Sequence, residues 1–176
     1  MNDFAADPPV ETRLGDRLRE RGDTVAVAET ATGGLVTALL TRPPGASDYL
    51  DRGWVPYAYD SLREELAVAR ETLDDHGAVS APVVRELARA ARDRARADWG
   101  IGVAAIAGPS GGTEQRPVGT ACVGIAEAAP WESGDSETTV ERYVFEGDRA
   151  AVREQVARQA LRDLHAALGE IGRAHV

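Results

Sequence analysis

Two glycine-containing turns hold most of the residues that could bind or attack a small molecule. The first turn, Glu29–Gly34, follows a short apolar segment and precedes a helical apolar pattern, which predicts a strand, a turn and a helix start. Backbone N–H groups and the positive end of a helix dipole would meet there. We therefore predict that it holds a phosphate or carboxylate, with Thr32 as helix N-cap and Gly33 and Gly34 allowing close approach. A tight turn before a capped helix, without a ligand, explains the same spacing.

The second turn, residues 107–113, ends another apolar segment. Its predicted ligand contacts are Gly108, Pro109, Gly111 and Gly112. The turn matches neither G-x-G-x-x-G nor the P-loop, which needs a lysine, and this excludes ATP hydrolysis of the Walker type. Arg116 follows closely, and its guanidinium suits a phosphate or carboxylate. A plain turn and a solvated arginine remain the alternatives.

The composition excludes several kinds of chemistry. The 20 basic residues are all arginine, so no Schiff-base amine or lysine general base is available, and arginine, with a pKa above about 12, cannot replace one. A net charge of -9 disfavours nucleic acid as a partner. The acidic, lysine-free composition suits a salt-rich cytoplasm, although genomic base composition could produce the same bias.

Metal, cofactor and membrane partners are not expected either. Cys122 stands alone and reads as a small buried hydrophobe, which leaves no disulfide within the chain and no cysteine metal cluster. Residues 74–76, Asp-Asp-His, are consecutive and cannot converge on one ion. No apolar run approaches the roughly 20 residues that cross a bilayer, and the start lacks a signal-peptide pattern. We predict a cytoplasmic protein.

Strands and helices alternate early in the chain and two strands adjoin late. Apolar segments predict strands at 24–28, 54–57, 99–107, 118–126 and 138–145. Helical spacing predicts helices at 10–22, 35–40, 60–66 and 81–95, and from Asp148 onwards. Asp60 is predicted to cap the third of these helices and Ser80 the fourth. This order predicts one three-layer α/β domain, residues 10–170, with a mixed sheet flanked by helices. Residues 1–9 would form a loose arm and 171–176 a tail.

Four segments in order resemble motifs of the CinA C-terminal family. Residues 28–34, A-E-T-A-T-G-G, are similar to its A-E-S-C-T-G-G turn, and residues 73–80 to its L-x-x-H-G-A-V-S segment. Residues 106–120 resemble I-A-G-P-x-G-G-[ST] followed by K-P-V-G-T, with Arg116 in the lysine position. Residues 145–149 match F-x-G-D-R. The resemblance covers nearly the whole chain and implies a standalone form of this domain.

The resemblance implies hydrolysis of an amide. Active members deamidate nicotinamide mononucleotide, releasing ammonia, with a serine nucleophile assisted by a tyrosine and a lysine in V-x-Y-S-N-E-A-K. In residues 55–62 of this chain the tyrosine is Tyr57, but Leu62 stands in the lysine position, and Thr30 stands in the serine position. Threonine keeps a hydroxyl, whereas leucine accepts no proton, and positioned acid–base catalysis contributes about 100- to 10,000-fold. Glu29 is the remaining candidate as base or orienting group.

Two functions therefore stay open. The first is a nicotinamide-nucleotide amidohydrolase with Thr30 as nucleophile, assisted by Tyr57 and Glu29. The second is a nucleotide-binding protein of the same fold without turnover, serving as a sensor or partner subunit. Both expect a small-molecule nucleotide as ligand, and a homo-oligomer is expected from such families.

Overall fold

The structure of the protein is a computed structural model that describes residues 7–130, 133–134 and 136–171. Most of the predicted arm and tail, and Trp131 in the predicted connection between the last two strands, lie outside these residues. Within the described part, no helix is long and apolar enough to cross a membrane.

In the part of the chain that the structure describes, the fold comprises five strands and six α-helices. The strands are β1 Val25–Glu29, β2 Leu50–Trp54, β3 Trp99–Ala105, β4 Thr120–Glu127 and β5 Thr138–Val144. The helices are α1 Val10–Arg21, α2 Leu35–Leu40, α3 Tyr59–Leu66, α4 Arg70–His76, α5 Ala81–Ala95 and α6 Arg149–Ile171. A short 3-10 turn, Ala46–Asp48, leads into β2.

The strands form one mixed sheet in the order β2-β1-β3-β4-β5. β1 runs parallel to both β2 and β3, while β4 pairs antiparallel with β3 and with β5. The early strands are therefore parallel, as helical crossovers require, and β4 and β5 adjoin as consecutive antiparallel strands. The predicted mixed sheet flanked by helices is confirmed.

Helices cover both faces of the sheet, and the alternation of side chains along β1 determines which core each residue enters. Val25 and Val27 pack with apolar residues of α1, α2 and α6, whereas Ala26 and Ala28 pack with residues of α3, α4 and α5. Because both faces are covered, β1 and β3 are buried along their whole length. Their apolar sequences follow from this burial.

Glycine lets α5 approach the sheet closely at β3. A Cβ on Gly100 would lie 2.0 Å from the Ala88 carbonyl oxygen, and one on Gly102 would lie 2.6 Å from the Ala88 nitrogen. Neither position admits a larger residue without moving α5. Cys122 lies on this side of the sheet and is 2% exposed, so the expectation of a buried small residue is confirmed.

Three local predictions were wrong. The strand expected at 54–57 is instead β2, Leu50–Trp54, whose exposed middle residues hide the apolar pattern of a strand. Asp60 lies within the first turn of α3 rather than capping it. Ser80 precedes α5 as expected, but its hydroxyl donates to the Gly77 carbonyl and does not cap the helix.

Candidate functional site

The two glycine turns lie at the same edge of the sheet. β1 and β3 are parallel neighbours with Glu29 in register with Val103, and the Thr30 N–H extends this pairing by donating to the Val103 carbonyl at 3.1 Å. The first turn leaves β1 and the second leaves β3, so both leave the carboxyl ends of adjacent strands. Ligand sites of open α/β sheets form at such edges.

The carboxylate of Glu29 holds the first turn and the start of α2 together. Its side chain is fully buried. Oε2 accepts hydrogen bonds from the Thr32 hydroxyl at 2.5 Å and the Val36 N–H at 3.0 Å. Oε1 accepts from the N–H of Thr37 at 3.0 Å and from its hydroxyl at 2.8 Å. Each carboxylate oxygen therefore has two donors, and the turn is fixed from within.

These contacts correct the prediction for the helix start. The N-cap of α2 is Gly34, with φ 94°, and not Thr32, whose hydroxyl donates to Glu29. The helix N–H groups that were expected to hold an external anion at Thr32–Gly34 donate instead to the protein's own carboxylate. An internal anion thus occupies the place predicted for a phosphate.

Arg153, in the first turns of α6, holds the other side of the first turn. Its Nε donates to the Ala31 carbonyl at 3.1 Å and its terminal nitrogen donates to the Thr32 carbonyl at 2.8 Å. The same guanidinium lies 3.0 Å from the position of a Cβ on Gly33, where φ is 63°. The turn is thus held by a carboxylate from β1 and a guanidinium from α6.

A cavity of about 250 Å³ opens beside the first turn. Its described lining residues are Thr30, Ala31, Tyr57, Tyr59, Leu62, Ala78, Val79 and Ala105. The walls are largely apolar, and the hydroxyl-bearing side chains are Thr30 and the two tyrosines. The structure therefore brings together Thr30, which follows β1, and Tyr57 and Leu62, which follow β2.

Arg149 links Tyr57 to the second turn. One terminal nitrogen of Arg149 donates to the Tyr57 hydroxyl at 2.8 Å, and the other donates to the Gly108 carbonyl at 2.7 Å. Tyr57 itself is 60% exposed, so this arginine is the contact that fixes its hydroxyl. Arg149 and Arg153 are one helical turn apart, and together they place the start of α6 against both turns.

Tyr59 has the opposite kind of partner. Its hydroxyl donates to the carboxylate of Asp74 at 2.7 Å, and Arg70 also contacts this carboxylate at 3.3 Å. The hydrogen bond from Tyr59 lowers the pKa of the Asp74 carboxyl. Partial removal from water, together with Asp74, raises the pKa of the Tyr59 phenol. Tyr59 therefore stays protonated and anchored to an anion.

The remaining residues predicted to bind substrate lie around the cavity rather than in its lining. Gly108 and Gly111 have positive φ values of 82° and 93°, and a Cβ on Gly112 would meet the Val118 nitrogen at 2.7 Å. Pro109 lies between them in this exposed turn. The Arg116 guanidinium lies against Gly77, 2.9 Å from the place of its Cβ, next to the lining residues Ala78 and Val79.

The sequence analysis did not recognise the roles of Arg149, Arg153 and Tyr59. Arg149 was visible as the last residue of an F-x-G-D-R match, but nothing local indicated its partners. Arg153 lies four residues further, and this spacing is the one signal that places both guanidiniums on the same face of α6.

Fold and site together define an α/β domain that presents a threonine hydroxyl in a small cavity at the carboxyl edge of a mixed sheet. The sequence profile of the CinA C-terminal domain matches residues 7–168. The chain belongs to the CinA C-terminal domain family.

Relatives with known names and structures agree with this assignment. The nicotinamide-nucleotide amidohydrolase PncC of Escherichia coli K12 is 42% identical over 152 residues, which cover 86% of this chain and 88% of that protein. A CinA-like protein of Anaeromyxobacter sp. strain K is 47% identical over 86% of this chain, which spans only 36% of that relative. A CinA superfamily protein from Klebsiella pneumoniae superimposes with a TM-score of 0.83 at 33% identity, covering 92% of this chain and 96% of that one.

Proposed function

We propose that the protein is an amidohydrolase that converts nicotinamide mononucleotide to nicotinic acid mononucleotide and ammonia, with Thr30 as nucleophile. The observation that carries the proposal is the shared cavity, in which the Thr30 hydroxyl lies with Tyr57 and Leu62. These are the positions that resemble the family's serine, tyrosine and lysine. The name of the Escherichia coli relative supports the same reaction.

In the proposed reaction, the Thr30 oxygen attacks the carboxamide carbon, Tyr57 donates a proton to the nitrogen and takes up the proton released by Thr30, and an ester forms as ammonia leaves. Water then cleaves this ester to give the carboxylate and regenerate the threonine hydroxyl. The Tyr57 oxygen accepts a hydrogen bond from Arg149 and so keeps its own proton available for the departing nitrogen. The contacts of Glu29 favour an orienting role over a role as base, because both of its oxygens already accept two hydrogen bonds.

One residue of the cavity favours a low rate of turnover. Leu62 is 2% exposed and contributes an apolar wall where the family pattern has a proton acceptor. Loss of a positioned base typically lowers a rate by about 100- to 10,000-fold. The second candidate function, nucleotide binding without turnover, is favoured by this one residue.

Ammonia release from nicotinamide mononucleotide, measured beside a binding titration, separates the two candidates. Turnover above background that disappears in Thr30→Ala, with binding retained, supports the amidohydrolase. Binding without turnover supports the second candidate. A protein that is folded but neither binds nor turns over this nucleotide contradicts both.

A gain-of-function variant tests the assignment of the positions. Thr30→Ser with Leu62→Lys restores the family's two side chains in the cavity, and we expect deamidase activity to rise by at least about tenfold. The matched control is Thr30→Ser with Leu66→Lys, one helical turn away from Leu62 and outside the described lining of the cavity. Equal activity of the two variants would contradict the assignment of Leu62.

A further inference from the structure

The two tyrosines of the cavity have partners of opposite charge. The Tyr57 oxygen accepts a hydrogen bond from the guanidinium of Arg149, whereas the Tyr59 hydroxyl donates to the carboxylate of Asp74. A hydrogen bond from a cation withdraws electron density from a phenol, and one donated to an anion increases it. Tyr57 therefore has a cationic partner, whereas Tyr59 has a carboxylate partner that is itself paired with Arg70.

Tyr59 and Leu62 form one wall of this cavity. They are three residues apart on α3 and so share a helix face, and both line the cavity. In the family pattern these positions are asparagine and lysine, so this chain has a ring in place of an amide and an apolar side chain in place of a cation. The wall has thus lost a positive charge and gained an aromatic face.

The Tyr59 ring is placed to contact a ligand. Tyr59 is 43% exposed and lines the cavity, and its hydroxyl donates to an Asp74 carboxylate oxygen on α4 at 2.7 Å, which anchors the end of the ring. An electron-rich aromatic face attracts a cation, by an amount that grows as water is excluded. A flat cationic ring would therefore bind here better than an uncharged ring of similar shape.

We propose that Tyr59, positioned by Asp74, is a specificity-determining residue that selects ligands carrying a positively charged aromatic ring. The proposal rests on the proposed function, in which the ligand is a pyridinium nucleotide. Tyr59 binds the pyridinium ring, while Tyr57 lies at the carboxamide that this ring carries, as the proposed function requires. Leucine at position 62 also favours binding of a cationic ring, because the lysine of the family pattern would repel it.

The test compares two ligands that differ in ring charge. Nicotinamide mononucleotide has a cationic ring, and its reduced form has an uncharged dihydropyridine ring with the same ribose and phosphate. We expect the wild-type protein to bind the oxidised form more tightly. Replacing the ring in Tyr59→Asn should reduce this preference by about two- to thirtyfold, the range of one cation–π contact.

Two further variants separate the ring from its anchor. Tyr59→Phe keeps the ring without the bond to Asp74, and we expect it to retain part of the preference. Asp74→Asn should lower the preference, whereas Asp75→Asn, the neighbouring exposed carboxylate, should leave it unchanged. Thermal unfolding shows whether each variant remains folded. If Tyr59→Asn does not fold, the proposal is tested by Tyr59→Phe and by the comparison of Asp74→Asn with Asp75→Asn.

The outcomes distinguish this proposal from the proposed function. If Tyr59→Asn weakens both ligands equally, or neither, Tyr59 does not select for charge and the proposal fails while nucleotide binding stands. If the wild-type protein binds neither form, the proposed function fails and this proposal fails with it. A purely structural link between α3 and α4 would change stability without changing the ratio of the two affinities.

Discussion

The two glycine turns lie side by side at one edge of the sheet, yet they are held in different ways. The first turn is fixed by the buried carboxylate of Glu29 and by Arg153, which together form six hydrogen bonds with the turn and the start of α2. The second turn is largely exposed, and Arg149 of α6 donates a hydrogen bond to its Gly108 carbonyl. Similar glycine-rich sequences are therefore held by a buried carboxylate and a guanidinium in the first turn, and by local backbone contacts and Arg149 in the second.

This difference indicates a division of roles. Under the proposed function Thr30 is the nucleophile, which must be held within a few tenths of an ångström, and it lies in the turn that is fixed on both sides. A turn that contacts different parts of a ligand gains from adjusting on binding. Glycine in the first turn leaves room for the Arg153 guanidinium, whereas glycine in the second turn leaves room for Val118.

Removing the Glu29 carboxylate should have the largest effect on stability. Glu29→Ala leaves two backbone N–H groups and two hydroxyls without their acceptor in a buried position, and we expect a loss of about 3 to 5 kcal/mol in the free energy of unfolding. Glu114→Ala, an exposed carboxylate beside the second turn, is the control and should change it by less than about 0.5 kcal/mol. Chemical denaturation measures both, and equal losses would contradict the difference between the turns.

Arg153→Met should have the second-largest effect on the free energy of unfolding. It keeps the packing of the side chain but removes the donors to the Ala31 and Thr32 carbonyls, so we expect a loss of about 1 to 3 kcal/mol in the free energy of unfolding. Thr30 should also be less well placed, which lowers turnover more than ligand affinity. A variant with unchanged stability and unchanged turnover would show that the first turn does not need its second anchor.

Gly111→Ala should have a smaller effect. Its φ of 93° disfavours a side chain, but the nearest neighbour of a Cβ is 3.7 Å away, so the cost is backbone strain alone, about 1 kcal/mol. Gly33→Ala adds contact with the Arg153 guanidinium to a similar strain and should cost more. Thermal unfolding of the two variants compares the turns directly, and the reverse order would argue against the tighter packing of the first turn.

Arg149→Met should affect stability least. Arg149 is exposed, so loss of its bonds to Tyr57 and Gly108 should cost less than about 1 kcal/mol. Its effect should appear in function, because Tyr57 and the second turn lose their shared contact. We expect weaker nucleotide binding and slower ammonia release in a protein whose unfolding is nearly unchanged; a large loss of stability would instead give Arg149 a structural role.

The sequence predicted the fold better than the site. The apolar run of β3 and the helical spacing of α5 and α6 directly reflect burial, so these elements could be predicted from the residues. The edge strand β2 could not, because its exposed residues carry no apolar alternation.

The contacts of the site are harder to predict because their partners are distant. A carboxylate that caps a helix from seven and eight residues away follows no standard capping spacing, which is why Thr32 was wrongly taken as the N-cap. An arginine on an exposed helix face looks solvated, although Arg149 and Arg153 contact residues 92 and 122 positions earlier. The resemblance to family motifs identified Thr30 and Tyr57, but the two guanidiniums that hold their surroundings emerged from the structure.

The position of α6 after every strand of the sheet has a consequence for biosynthesis. A growing chain can pair β1 with β3 before α6 has left the ribosome, but its first turn then lacks Arg153 and its second lacks Arg149. Thr30 is therefore translated early, and the turn that holds it is completed late. An unfinished polypeptide would hold a sheet whose two turns still lack their guanidinium partners from α6.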